Sequence, residues 1–465
     1  MNGRQLSRRS FLGGALSFGA LAGCNVFRAP AGEMAGDEAR LVLGVISDIH
    51  IDAAKGDFKK FGDTEQFEKT LRWFDEQGVD GVVLAGDMAD NGMMNQLERV
   101  GEAWFRVFPD GKSRRDGRPV EQLFVYGNHD LEGQHYDKFG DRYSEKTSFE
   151  AAQICRDPAA AWKQVFREKY APIWLKTVKG YQFVGAHWDS WSGVPAVEDW
   201  FRNNAGRIDR TKPFFFIQHC HPRGTVYGDE AWGADKGYAT RALSAFPNAV
   251  AFTGHSHESL TDERSVWQGD FTSIGTASLR YGGHVDQYEQ RQGMLVSAYD
   301  DRIVLARRDF LHDESLGDDW VIPLPCEQKK PYDFAARKAA GIPPKFGRFA
   351  RLSSKLIEGK GWKLTIPCAD AGKTRPFRYE VATGCEDKDG KPVVFKVYDA
   401  KYNMPLGLSG AATRFLVKFA DLPGAGAGGQ KAPTITVTPL DWFGNRGLPL
   451  SIAADSRSFS RQFVL

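Results

Sequence analysis

The sequence lacks several features that would reveal its class at once. Its six cysteines form no CxxC pair, which argues against a zinc ribbon or a thioredoxin-type redox motif. We find no internal repeat and no heptad run. The formal net charge is only +2, and it falls by three to −1 when the arginines of the first 23 residues (Arg4, Arg8 and Arg9) are left out. Such a chain has no overall basic field, and we expect no nucleic-acid binding.

The N-terminus predicts export rather than a transmembrane span. The apolar stretch Phe11–Leu21 is too short to cross a bilayer. It follows Ser7-Arg8-Arg9, which resembles a twin-arginine signal, and it leads into Leu21-Ala22-Gly23-Cys24, which resembles a bacterial lipobox. We predict a signal peptide over 1–23, a lipidated Cys24 and a tether over 24–38, which would give a membrane-anchored lipoprotein at the periplasmic or extracellular face. The alternative is a plain signal peptide cleaved nearby, with Cys24 incidental.

Residues 39–312 show the alternation of strands and helices typical of an α/β domain. The strand candidates are short and apolar on both faces, as buried strands are. Asp157 and Pro158 provide a helix start, as N-cap and first helical residue. Strands with little helix signal follow, so we expect a mixed sheet or two packed sheets. The strand candidates are 41–46, 81–85, 123–126, 183–186, 214–217 and 250–252, and the helix candidates are 64–77, 94–108, 158–169, 198–204 and 238–246.

The remainder of the chain changes character twice. Residues 313–346 are polar and rich in proline, which predicts a linker. Residues 347–465 contain alternating strands separated by glycine and proline turns, which predicts a small all-β sandwich. Cys368 and Cys385 could form a disulfide in an oxidising compartment, and two thiols are the alternative.

Five short polar motifs each follow, or lie within a residue of, an apolar strand candidate. In parallel α/β sheets, ligands gather at the carboxyl ends of strands, so these motifs can converge although they are far apart in sequence. Imidazoles together with carboxylate and amide oxygens favour Mn, Fe or Zn over Ca or Mg. The motifs are Asp48-Ile-His50, Gly86-Asp87, Gly127-Asn128-His129-Asp130, His219-Cys-His221-Pro222 and Gly254-His255-Ser-His257.

In their order and spacing these motifs resemble the calcineurin-like metallophosphoesterase superfamily over about Leu41 to Ala277. The resemblance implies two divalent metal ions (Mn, Fe or Zn) and a metal-bridging hydroxide that attacks phosphorus. It implies that His129 protonates the leaving oxygen or stabilises charge there, with Asp130 orienting it. The implied ligands are Asp48, His50 and His257 for one metal, Asn128, His219 and His255 for the second, and Asp87 for both.

Some positions stay open. His219 and His221 compete for one ligand role; His219 lies closer to the strand end, which would leave His221 to line the pocket. Arg223 and Tyr227 could contact a phosphate oxygen or the leaving group, or could belong to a solvated loop. Asp90 stands where the purple acid phosphatase branch carries a metal-bound tyrosine, which argues against that branch.

The sequence therefore predicts an exported, lipid-anchored phosphohydrolase acting on phosphate mono- or diesters. Its partners would be a phosphorylated small molecule or cell-envelope substrate and, through Cys24, a membrane. Two alternatives are a surface-binding lipoprotein with a vestigial phosphoesterase site and a 5′-nucleotidase-like enzyme. The latter usually needs a larger C-terminal α/β domain than the β module here.

Overall fold

Short parallel strands alternate with amphipathic helices through the first two thirds of the described chain. A computed structural model describes residues 38–51, 63–132, 155, 157–228, 232–283, 289–370, 377–400, 412–422 and 433–454. The predicted signal peptide, Cys24 and all but the last residue of the tether lie outside these ranges. No helix within them is both long enough and apolar enough to cross a membrane.

Thirteen of the described strands build the first two sheets. They are β1 (Leu41–Ile46), β2 (Gly81–Ala85), β3 (Glu121–Val125), β4 (Ile173–Val178), β5 (Tyr181–Ala186), β6 (Phe214–Ile217), β7 (Ala249–Thr253), β8 (Val266–Gln268), β9 (Thr272–Gly275), β10 (Gln292–Ala298), β11 (Arg302–Asp309), β12 (Glu314–Ser315) and β13 (Trp320–Pro323).

Both sheets are mixed. The first has the order β12-β11-β10-β1-β2-β3, with β13 also paired to β11; β1, β2 and β3 run parallel and the rest antiparallel. The second has the order β4-β5-β6-β7-β9-β8, with a parallel centre from β5 to β9. Parallel centres of this kind place the carboxyl ends of several strands at one edge of each sheet.

The two sheets pack face to face because their strands are apolar on both sides. In β1, Leu43 and Val45 point into a core shared with Phe215 and Phe252 of the second sheet. The neighbouring residue Ile46 belongs instead to the core under the helices. This period of two lets a six-residue strand serve two cores at once.

Helices cover the outer faces. The first sheet is covered by α1, α2 and α4, and the second by α5 and α6. Asp157 caps α4 as predicted, accepting the N–H of Ala160 at 3.0 Å, with Pro158 as the first helical residue. The described helices are α1 (Asp63–Gln77), α2 (Met94–Val107), α3 (Asn128–Glu132), α4 (Pro158–Phe166), α5 (Ala196–Asn204), α6 (Tyr238–Leu243) and α7 (Phe334–Ala340).

The segment predicted as a linker contains regular structure. Strands β12 and β13 extend the first sheet, and Trp320 and Ile322 of β13 turn inward while Val321 is exposed. The alternation is only four residues long, which explains why proline content outweighed it in the sequence. Helix α7 follows, and its Arg337 donates to the carbonyl of Glu263 at 2.6 Å.

The C-terminal region is all-β, and the predicted fold class is confirmed. Two antiparallel sheets, β15-β16-β20 and β19-β18-β21-β22, share one apolar core. Cys368 and Cys385 are not joined by a disulfide. The strands are β14 (Lys345–Phe346), β15 (Ser353–Ile357), β16 (Gly361–Ile366), β17 (Ala369–Asp370), β18 (Arg378–Glu386), β19 (Pro392–Tyr398), β20 (Thr413–Lys418), β21 (Thr434–Leu440) and β22 (Leu450–Ala453).

Candidate metal centre

Five strands end at one place in the molecule, and a predicted ligand follows each of them within three residues. The strands are β1, β2 and β3 of the first sheet and β6 and β7 of the second. The loops are also tied to one another: the N–H of Asp48 donates to Gly86, and the N–H of Gly254 donates to His219. The edge therefore brings together side chains far apart in sequence, such as those of His50 and His257, which are 207 residues apart.

The backbone at this edge is strained. Eleven non-glycine residues of the described chain have positive φ, a conformation that side chains disfavour. Five of them are predicted ligands. Strain of this kind persists where the surrounding structure holds the residues in place, and it concentrates at functional sites. The five are Asp48, His50, Asp87, His255 and His257.

Glycines make the close approach possible. Gly86 has φ +90°, and a Cβ there would lie 2.4 Å from Nδ1 of His219. A Cβ at Gly254 would lie 2.4 Å from a carboxylate oxygen of Asp48. Gly86 and Gly254 are therefore required because a neighbouring ligand occupies the space of a side chain.

The first group of ligand atoms surrounds Nε2 of His50. That nitrogen lies 3.0 Å from Nε2 of His257, 3.8 Å from Oδ1 of Asp48 and 3.6 Å from Oδ2 of Asp87. Oδ1 of Asp48 is also 2.9 Å from Nε2 of His257. An imidazole nitrogen makes only one hydrogen bond, so hydrogen bonding among these side chains does not explain why three ligand atoms lie so close to Nε2 of His50.

The second group shares Asp87 with the first. Oδ2 of Asp87 lies 3.1 Å from Nε2 of His219, which in turn lies 3.1 Å from Nδ1 of His255. Ligand atoms bound to one metal at about 2.1 Å lie roughly 3.0 to 3.4 Å apart on neighbouring vertices. The second group meets this spacing, with 3.1 Å for both of its pairs, and the pairs of the first group lie between 2.9 and 3.8 Å apart. Both groups combine imidazole with carboxylate, so the residues present fit two divalent transition metals.

The field inside the cluster is strong. Burial opposes the charged form of His219, but the carboxylates of Asp87 and Asp48 outweigh it and raise its pKa to about 9. Burial likewise opposes ionisation of Asp87, and His219 and His129 overcome it and hold the pKa of that carboxyl well below its usual range. Burial lowers the pKa of His50 to about 4. The site thus favours an ionised carboxylate at Asp87 and a neutral imidazole at His50, the forms that bind metals.

His129 lies beside the first group. Its ring centroid is 4.6 Å from that of His50, its N–H donates to Oδ1 of Asp87 at 2.9 Å, and its Nδ1 lies 2.7 Å from the carbonyl oxygen of Asp90. A carbonyl only accepts, so Nδ1 carries a proton and donates it to Asp90.

Asp130, predicted to orient His129, directs its hydrogen bonds to the backbone. Its oxygens accept the N–H groups of Ala89 and Gly127, each at 2.7 Å. Burial and the charge of Asp87 raise its pKa to about 8. Through these two bonds the residue joins the loop after β2 to the loop after β3.

Two of the three predicted substrate contacts, His221 and Tyr227, are buried. His221 is buried, with Nδ1 bonded to Thr253 and Nε2 to Ser256, at 2.9 and 2.8 Å. Tyr227 is also buried, and its ring packs against that of His221. Arg223 is exposed. His219 therefore lies in the ligand cluster, whereas both ring nitrogens of His221 are bonded to hydroxyl groups.

Sequence reasoning overlooked the residues around the ligands. Oδ1 of Asp90 lies 3.4 Å from Nδ1 of His50 and 3.1 Å from Arg280, which donates to the carbonyl of His50. The ring of Tyr281 lies 4.4 Å from that of His257. Arg280 and Tyr281 follow β9, which runs parallel to β7, so the strand-end rule could have found them.

Comparison with known proteins agrees with this geometry. Residues 41–259 match the family model described as calcineurin-like phosphoesterase. This segment is a calcineurin-like phosphoesterase domain. No curated protein matches the chain significantly.

Solved structures similar to this chain include phosphatases. A dimetal phosphatase from Danio rerio is 10% identical, with a TM-score of 0.38, covering 62% of this chain and 99% of its own. A purple acid phosphatase from yellow lupin (Lupinus luteus) is 15% identical, with a TM-score of 0.40, covering 61% of this chain and 53% of its own. Vps29 from Entamoeba histolytica is 11% identical, with a TM-score of 0.29, covering 61% and 99%. The family match, not these distant structures, identifies the domain.

Proposed function

We propose that the protein is a metal-dependent phosphohydrolase that cleaves phosphate esters. The observation that carries this proposal is the position of Asp87, whose Oδ2 lies within 3.6 Å of His50 on one side and within 3.1 Å of His219 on the other. A carboxylate shared by two ligand groups is the arrangement that a dinuclear centre needs. The calcineurin-like domain supports the same reaction class.

We assign the ligands as the family resemblance implies. Asp48, His50 and His257 would hold one divalent metal, and Asn128, His219 and His255 the second, with Asp87 common to both. Two such metals would supply Lewis-acid activation of water and a clamp on the phosphoryl oxygens. The surrounding protein keeps bulk water from these carboxylates, since Asp48 and Asp87 are almost fully inaccessible.

His129 would serve the leaving group. Its Nδ1 donates to the carbonyl of Asp90, which fixes the ring and leaves Nε2 to carry a proton to the departing oxygen. Asp130 holds the loop that carries His129, through its bonds to Ala89 and Gly127. The chemistry is therefore assigned to His129, and a positioning role to Asp130.

Export and anchoring belong to the same proposal and rest on sequence alone. The Arg8-Arg9 pair and the Leu-Ala-Gly-Cys24 motif support a lipoprotein exported in the folded state. Membrane fractionation of the Cys24→Ser variant tests the anchor, because loss of the lipidated thiol should release the protein from the membrane fraction. An unchanged distribution would contradict it.

Hydrolysis of two chromogenic esters tests the catalytic proposal. We would assay para-nitrophenyl phosphate and bis-para-nitrophenyl phosphate with Mn, Fe, Zn or a chelator, and measure bound metal in parallel. Wild type should bind two metals and turn over at least one ester, and Asp87→Asn should lose both properties. Asp199→Asn, an exposed carboxylate on α5, is the matched control.

The two esters also separate monoesterase from diesterase activity through their relative rates. Metal binding without turnover of any ester would favour the surface-binding lipoprotein. A protein that binds no metal would overturn the proposal.

A further inference from the structure

Tryptophan exposure picks out one face of the centre. The chain has twelve tryptophans, and all lie in the described ranges. Ten are buried or half-buried, and only Trp191 and Trp232 are exposed, at 55% and 47%. Both lie against the same metal-centre residue, His255.

The geometry around His255 is close and angled. The ring centroids of Trp232 and Trp191 lie 5.0 and 5.6 Å from that of His255, each tilted by 54°. Trp188 lies 5.7 Å from His255 and packs edge-on against Trp191 at 5.5 Å. Trp188 is itself fixed by a 2.9 Å hydrogen bond from its indole N–H to Glu132.

The packing of His255 does not require all three indoles. Trp188 is 4% exposed and already provides an apolar neighbour for His255 and His219. Trp191 and Trp232 leave about half of their surface in water, where large apolar side chains lose the free energy of burial. Two exposed indoles that both pack against one residue of a candidate metal centre are suited to contact a ligand.

We propose that Trp191 and Trp232 form a stacking subsite for a flat ring carried by the substrate, so that the enzyme acts on phosphate esters bearing a nucleobase or a sugar ring. This inference rests on the proposed phosphohydrolase function, since His255 places the subsite next to the phosphoryl position. Indole faces stack on nucleobases and on the apolar faces of sugars, and their rigid rings lose little conformational entropy. The opposite side of the centre, by His50 and Tyr281, offers no comparable pair of exposed indoles among the described residues.

Three monoesters test the proposal with the full-length metal-loaded protein. AMP carries a base and a sugar, glucose 6-phosphate carries only a sugar ring, and glycerol 3-phosphate carries no ring. We expect a higher kcat/KM for one or both ring-bearing esters. In the Trp191→Leu, Trp232→Leu double variant, the ratio of that kcat/KM to the value for glycerol 3-phosphate should fall by roughly 5- to 150-fold, the range for loss of one base stack.

Further variants separate stacking from general apolarity and from misfolding. Leucine keeps apolar surface but has no flat face, whereas Trp191→Phe with Trp232→Phe keeps flat rings and should retain most of the ratio. Trp200→Leu, a half-buried indole on α5, is the matched control and should leave the ratio unchanged. An effect on AMP alone would assign the subsite to bases, and an equal effect on glucose 6-phosphate would assign it to rings in general.

Tryptophan fluorescence distinguishes failure of this proposal from failure of the proposed function. In one outcome, only the ring-bearing esters quench the fluorescence, the double leucine variant loses this quenching, and no ester is hydrolysed. This outcome would support the subsite and contradict the proposed phosphohydrolase function. If all three esters are hydrolysed equally well and quench the fluorescence equally, the subsite is overturned and the proposed phosphohydrolase function stands. A double variant that loses all three esters equally would also overturn the subsite.

Discussion

Oδ1 of Asp90 lies 3.4 Å from Nδ1 of His50, on the side of the imidazole opposite to the nitrogen that faces Asp48 and Asp87. A carboxylate in this position fixes the orientation of a metal-binding histidine and increases its basicity. Asp90 has a second partner in Arg280, and together with His50 this guanidinium holds the pKa of Asp90 below its ordinary value despite burial.

Asp90→Asn should therefore weaken the metal on the His50 side. An amide is neutral and supports the imidazole less well, and the expected loss is roughly 10- to 100-fold in metal affinity or activity. Metal titration followed by calorimetry measures the first and ester hydrolysis the second. Asp116→Asn, an exposed residue bonded to Arg118, is the control. Undiminished affinity would show that Asp90 does not support His50.

The competition between His219 and His221 can be decided by metal content. His219→Asn should lose one metal and more than roughly 100-fold in activity, because direct ligands contribute more than their outer partners. His221→Phe should keep both metals but lower the free energy of unfolding by about 1–3 kcal/mol, since the hydroxyls of Thr253 and Ser256 lose their partner. Elemental analysis and urea unfolding give the two readouts. Metal loss in His221→Phe would reverse the assignment.

Asp130→Ala should lower the stability of the protein rather than act directly on catalysis. The substitution leaves the buried N–H groups of Ala89 and Gly127 without an acceptor, which lowers stability. It also removes the desolvation cost of a buried carboxyl group, which offsets part of that lost stability. We expect the free energy of unfolding to fall by about 1–3 kcal/mol. Denaturant titration beside Asp199→Ala measures this change. Full stability combined with lost activity would instead support the direct role that the sequence suggested.

His187 should make stability depend on acid. Burial, followed by the charge of Lys176, lowers its pKa from 6.5 to about 3, and Tyr126 donates its N–H to Nδ1 at 3.0 Å. The pKa of His187 is lower in the folded protein than in the unfolded chain. Its contribution to the free energy of unfolding is therefore present above pH 6.5 and is lost as the pH falls toward 3. The loss approaches about 1.4 kcal/mol per pH unit for this one proton.

His187→Asn keeps an acceptor for Tyr126 but removes the titrating group. Between pH 6.5 and 3, the free energy of unfolding should fall less steeply with decreasing pH than in wild type. The difference should approach about 1.4 kcal/mol per pH unit, the value for one proton. His312→Asn, an exposed histidine, is the control. Equal slopes in wild type and His187→Asn would show that His187 is not the residue that takes up the proton.

Local sequence was sufficient for much of the fold. Strands β1, β2 and β6 have the predicted bounds because continuous Val, Ile, Leu and Phe runs leave no other stable conformation in a buried layer. The short β13 was hidden by prolines, and the lengths of α4 and α6 were overestimated because helix ends depend on caps and contacts that periodicity does not show.

The sequence by itself determined the ligand chemistry and its location, since each motif directly follows a strand and parallel strands share an edge. Only the tertiary structure decided what each neighbour does. His219 and His221 differ by two residues, yet one faces Asp87 and the other bonds Thr253 and Ser256. Such assignments depend on which loops meet, and so do the partners of Asp90 and the position of Trp191 and Trp232 beside His255. These contacts join residues far apart in the chain. The strand-end rule could place Arg280 near the centre, but it does not give its pairing with Asp90.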